Sequence, residues 1–107
     1  LRSVVARRLG LAHQARWPRR IAIVAHFRGV RGMTTLGEMH VTHRGYVGLA
    51  PVGPALDDIT NVALVVPASQ ARDMAGDAES YLMSWLAAHP VLAGRFNHAL
   101  RVSPVRT

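Results

Sequence analysis

The chain has 107 residues, 50% of them hydrophobic, enough for one domain with one core and too few for two. Its 13 basic residues are all arginines against 6 acids, a formal charge of +7, and the absence of cysteine excludes disulfides, thiolate metal sites and thiol nucleophiles. No apolar run reaches the roughly 18 residues of a membrane span, and the arginine-rich start lacks a signal peptide's apolar stretch, so a soluble, cytoplasmic protein is expected.

Ser3 followed by VVARRLGL reads as an N-capped short helix stopped by Gly10, because a serine oxygen can accept the unpaired amides of a first turn. After a polar connection, Arg20 to Arg28 (RIAIVAHFR) is β-branched and apolar enough for a buried strand, and Gly29 to Thr35 is a turn. Leu36 to His43 alternates, with Glu38, His40 and Thr42 on one face and Met39, Val41 and His43 on the other. Arg44-Gly45 turns tightly into Tyr46-Val-Gly-Leu-Ala-Pro51, Pro51 to Asp58 is a loop, and Thr60 to Pro67 is a strand with Val62, Leu64 and Val66 facing one way.

Asp77 to His89 carries Ala78, Tyr81, Leu82, Trp85 and Leu86 on one helical stripe, which reads as core rather than a ligand box. Pro90 stops that helix and suits the first turn of a second one through about His98; Leu100 to Val105 closes as a strand. Helix, four strands, two helices and a strand do not alternate as a parallel sheet requires. An α+β fold follows, an antiparallel sheet of about five strands with helices packed on one face, in a single domain over residues 1–107.

Few residues suggest chemistry. His40 and His43, three apart on a strand, point to opposite faces and cannot close on one metal ion; His26 beside Phe27 fits a core histidine, and His89 a helix end. Asp57 and Asp58 are adjacent in a loop and do not converge on one atom, and Ser3 lacks a glycine-framed elbow, so no catalytic residue emerges. No GxGxxG or GxxxxGK[ST] pattern is present to cradle a phosphate. Six arginines fall within the first twenty residues and the rest are scattered without aromatic interleaving, which argues against nucleic-acid binding. The GYVGLAPVG stretch stands apart: Gly48 and Ala50 share the face of Tyr46, making a shallow trough that either a substrate or a closely packed helix would explain.

With these elements in place, the chain resembles the middle of a flavin-dependent oxidoreductase of the p-hydroxybenzoate hydroxylase fold, in the geranylgeranyl reductase and flavin halogenase branch. LRSVVARRLGL is similar to the segment just after the Asp-Gly of that family's second fingerprint: Ser3 matches, whereas Ala6 stands where an arginine is expected and Arg7 comes one place late. RIAIVAHFRGV and GEMHV resemble the first strands of the substrate domain. Tyr46 and Pro51 match the reductases' Tyr-x-Trp-x-Phe-Pro motif, with Gly48 and Ala50 in place of its two bulky aromatics, and Ile59-Thr-Asn61 stands where a Gly-x-Gly is expected.

The resemblance implies a substrate-binding domain of an FAD-dependent oxidoreductase or monooxygenase acting on an apolar (isoprenoid, lipid or aromatic) substrate. It implies FAD bound mainly by the remaining, FAD-binding domain of the same protein, with NAD(P)H as a candidate electron donor. Tyr46, Gly48, Ala50, Pro51, His26 and His40 would then contact substrate, and Ser3 and Arg7 the cofactor. A chain starting at Leu1 without methionine and lacking cofactor motifs fits a piece of a larger flavoprotein, inert alone. The rival reading is a stand-alone basic α+β module binding an anionic partner.

Overall fold

The computed structural model describes residues 19–74 and 76–107; the helix expected after Ser3, with Ser3 and Arg7, lies outside them. Strand β1 (Arg20–Arg28) has the predicted bounds, and its alternation buries Ile23, Ala25 and Phe27. Its partner is β4 (Ile59–Pro67), antiparallel, with Ile23 opposite Leu64 and Ala25 opposite Val62. Between them come β2 (Glu38–Thr42) and β3 (Gly45–Val52), joined by a two-residue turn that Thr42 closes: its hydroxyl donates to the Gly45 carbonyl and accepts the Arg44 amide. β3 pairs on its other side with β4.

Strand β5 (Leu100–Arg101) pairs with the free side of β1, giving one five-stranded sheet in the order β2-β3-β4-β1-β5. The predicted strand to Val105 is cut short because Pro104 has no amide for the ladder and Ser103 intervenes with its side chain. Its hydroxyl accepts the His26 amide at 2.8 Å, and beyond it the chain returns to β1 only in a single antiparallel bridge between Val24 and Arg106.

A short 3-10 turn at Ala55–Asp57 leads from β3 into β4, and a second at Ala68–Gln70 leads from β4 to the helices α1 (Ala71–Met74) and α2 (Ala78–Ala88). α2 begins at Asp77, whose carboxylate accepts the Ser80 amide, and ends at His89, close to the predicted limits. Leu82 and Leu86 are fully buried against Ile23, Val47, Leu64 and Val66, so the helix lies on one face of the sheet as the α+β reading requires.

The helix expected from Pro90 to His98 is instead a run of turns. Gly94 takes φ +89°, which a right-handed helix does not accept, and Pro90 supplies no amide. The run nevertheless drives Leu92 and Phe96 into the core, where Phe96 meets Phe27 edge-on at 5.4 Å.

Candidate functional site

The register divides the sheet into two unlike faces. Toward the helices lie Thr60, Val62, Leu64 and Val66 of β4, Ile23, Ala25 and Phe27 of β1, and Val47 and Leu49 of β3, all buried. Away from them lie Tyr46, Gly48 and Ala50, opposite Val65, Ala63 and Asn61, which in turn face Ala22, Val24 and His26. None of these nine is buried. Met39 and Val41 of β2 extend this open face and are 56% and 71% exposed.

Tyr46, Gly48 and Ala50, expected from the sequence to share a face, do so on the open side of the sheet. A Cβ built on Gly48 would meet only the Glu38 carbonyl oxygen, at 3.8 Å, so neither a helix nor a neighbouring backbone demands glycine there. The glycine that close approach does demand is Gly45: with φ +151°, its Cβ would collide with the Val65 carbonyl oxygen. Gly48, Ala50 and Ala63 together leave a lane of small side chains, with Tyr46 at one end and Asn61 and His26 at the other.

The predicted substrate residues therefore separate. Tyr46, Gly48, Ala50 and His26 share the open face; Pro51 sits exposed at the strand's end with its alternation toward the other side; His40 lies on the helix-covered face, opposite Val47. There His40 Nε2–H donates to Glu38 Oε1 at 2.8 Å, and its ring meets that of His89 edge-on at 5.6 Å.

Glu38 is the centre of a polar cluster that sequence reasoning missed. Arg95 grips it with two parallel bonds, Nη1 to Oε1 at 2.7 Å and Nη2 to Oε2 at 3.0 Å, while Nε donates to the Arg31 carbonyl at 2.6 Å. The Arg95 bonds, outweighing desolvation, hold the Glu38 carboxyl at about 2, and Glu38 in turn raises the Arg95 guanidinium. The signal available was a carboxylate on the inward face of an amphipathic strand, which requires a cation; nothing local identifies Arg95 as that cation.

On the same side, α2, Gln70 and the β2–β3 turn enclose an open cavity of about 340 Å³ lined by His43, Tyr81, Trp85 and His89 among others. Trp85 stacks on His89 with centroids 5.7 Å apart, and the Tyr81 hydroxyl donates to Gln70 at 2.9 Å. Burial pushes the Tyr81 hydroxyl's pKa up. Tyr81 and Trp85 thus both pack on the core, as expected, and wall this cavity.

Among the described residues no group of three or more His, Asp or Glu could hold a metal ion, and no dinucleotide cradle is formed. The N-terminus of α2, which would suit a phosphate, is capped by the chain's own Asp77 carboxylate, and that bonding holds the Asp77 pKa down. No helix of the described residues is long and apolar enough to cross a membrane.

A two-faced sheet of this kind, helices on one side and an open apolar lane on the other, defines an α+β fold with one solvent-accessible sheet face. Solved structures share the fold. CmlS, a flavin-dependent halogenase, matches over 82% of this chain with TM-score 0.67 and 22% identity. The myxobacterial chondrochloren halogenase CndH, a variant of FAD-dependent halogenases, matches over 81% with TM-score 0.70 and 18% identity. A triple mutant of the flavin-dependent brominase Bmp2 matches over 98% with TM-score 0.59 and 20% identity. The chain spans only 16%, 21% and 28% of those three chains, respectively. No protein-family model and no curated protein matches this chain.

Proposed function

We propose that this chain is the substrate-binding part of an FAD-dependent oxidoreductase of the flavin halogenase and monooxygenase kind, with the open sheet face as the floor of an apolar substrate site. The observation that carries the reading is the Gly48, Ala50, Ala63 lane: small residues where no packing requires them, on the face turned away from the core. The likeness in fold to flavin-dependent halogenases supports it.

FAD would be held by chain outside the described residues, where Ser3 and Arg7 also lie, and when bound would supply hydride transfer or oxygen activation, with NAD(P)H as a candidate reductant. The described residues contribute shape and dryness. Met39, Val24 and Val65 flank the lane with apolar surface, and the Tyr46 hydroxyl closes one end with a hydrogen-bonding group.

The test is Gly48→Trp in the full-length protein. A Cβ at 48 would meet only the Glu38 carbonyl, at 3.8 Å, and the face is open, so the variant is expected to fold with an unchanged melting temperature and to accept only smaller substrates. An unchanged substrate range refutes the floor.

A further inference from the structure

The cavity between α2, Gln70 and the β2–β3 turn lies on the helix-covered side of the sheet, and the proposed function makes no use of it. At about 340 Å³ it is at the small end of ligand-site volumes. Its lining includes Arg44 from the turn, Asp73 from α1, and Tyr81 and Trp85, one helical turn apart on α2. Arg44 and Asp73 carry opposite charges but do not pair. Neither the guanidinium nor the carboxylate has a hydrogen bond or ion pair among the described residues. Both act on Tyr81: burial raises its hydroxyl's pKa, Arg44 pulls it down and Asp73 pushes it up. A cation and an anion held apart in one small cavity, each without a partner, fit a ligand that carries both signs.

Much of the remaining polar lining is already committed. The Tyr81 hydroxyl donates to Gln70 Oε1 at 2.9 Å, the Thr42 hydroxyl is used twice within its own turn, and His89 Nδ1 accepts the Val91 amide at 3.2 Å. An ammonium that carries N–H groups has up to three donors to satisfy, and few acceptors are left for it. Aromatic surface is plentiful instead. Tyr81 and Trp85 both line the cavity, and Trp85 is fixed by stacking on His89 with centroids 5.7 Å apart. A methylated ammonium donates nothing, and aromatic faces beside a carboxylate are what hold it.

We infer that this cavity is a second binding site, for a betaine-type zwitterion: a methylated ammonium held by Tyr81, Trp85 and Asp73, joined by a short chain to an anionic oxygen held by Arg44. Phosphocholine has this chemistry, both as a free solute and as a lipid head group. The site stands on its own residues and does not rest on the open face being the substrate floor.

The test is titration calorimetry of the full-length protein with phosphocholine, choline and inorganic phosphate, and a separate sedimentation arm with vesicles of phosphatidylcholine. Each variant is first checked for an unchanged thermal midpoint. Phosphocholine binds about tenfold or more tightly than choline or phosphate. Arg44→Gln, at an exposed position, brings phosphocholine to within about twofold of choline. Trp85→Leu weakens both by about tenfold. Because Trp85 also packs on the core, Asp73→Asn, at an exposed position, reads the same ammonium contact without touching the core, with a loss of about threefold for both. Gly48→Trp, on the other face of the sheet, leaves these affinities unchanged. Vesicle retention that Arg44→Gln abolishes makes a lipid head group the source, and binding in solution without retention makes it a free solute; either supports the site. No binding of phosphocholine at millimolar concentration, equal affinity for phosphocholine and choline, affinity unmoved by both Arg44→Gln and Asp73→Asn, or affinity lost in Gly48→Trp overturns it.

Discussion

Replacing Arg95 by methionine keeps the aliphatic stem and removes four bonds, two to the Glu38 carboxylate, one to the Arg31 carbonyl and a weak one to the Met33 sulfur. Breaking a fully buried pair costs about 3–5 kcal/mol and an exposed one about 0–1. The Arg95 and Glu38 side chains are 17% and 23% exposed, so a cost of about 2–3 kcal/mol is expected near neutral pH. The same pair fixes a pH dependence. Glu38 falls from 4.5 to about 2 on folding, so its stabilisation is fully present above 4.5 and disappears as pH drops through about 2. At full strength that is about 3 kcal/mol, reduced to about 2 by solvent screening. Urea denaturation followed by circular dichroism at pH 6.5 and pH 2, on native protein, Arg95→Met, Glu38→Gln and the double variant, reads both quantities. The Arg95→Met cost shrinks at pH 2 and the double variant loses less than the sum of the singles. A cost below about 0.5 kcal/mol at pH 6.5, the level of a surface contact, or an equal cost at both pH values, refutes the pair as the clasp between β2 and the turns after Pro90.

Gly45→Ala and Gly48→Ala, three residues apart in one strand, behave oppositely. The first forces a Cβ into the Val65 carbonyl and costs about 2–4 kcal/mol by thermal melting; the second is neutral or stabilises by about 0.5–1. Asp77→Ala removes the cap on α2 and lowers the melting temperature by a few degrees at neutral pH. Because the Ser80 amide holds the Asp77 carboxyl below its usual range, that loss fades as pH falls through the carboxylate range, which a melting series in acid would show.

Where the chain's own periodicity decides the outcome, the structure follows it. RIAIVAHFR alternates and becomes a strand over the whole predicted span, and the stripe from Ala78 to Leu86 becomes a helix with Leu82 and Leu86 inside. Departures occur where the deciding partner is distant or the backbone is special. Residues 90–98 carry apolar spacing that a helix and a chain of turns both satisfy, and Gly94's positive φ settles the matter. Ala71–Met74 is too short to show a period, and the Ser103 hydroxyl replaces a ladder bond that only the position of His26 explains. In the candidate site, the alternation of β3 places Tyr46, Gly48 and Ala50 together, but that Asn61 and His26 join them depends on cross-strand register. His40 shows the converse: its neighbours in sequence place it near the trough, and one step of the pleat carries it through to the other side of the sheet.

The strand order also has a consequence during synthesis. β1 precedes the other described strands from the ribosome, yet its two neighbours, β4 and β5, are the last of the described strands to emerge. The β2–β3–β4 meander can pair as it emerges, each connection being short, whereas Ile21 to Phe27 wait as an unpaired apolar ribbon until Pro67 is available, and one edge stays bare until Arg106 arrives. Loop closure over that distance is slow relative to hairpin formation. The nascent chain therefore has an interval in which this apolar segment is exposed, and the turns after α2 that carry Leu92 and Phe96, with Ser103 beyond them, end it.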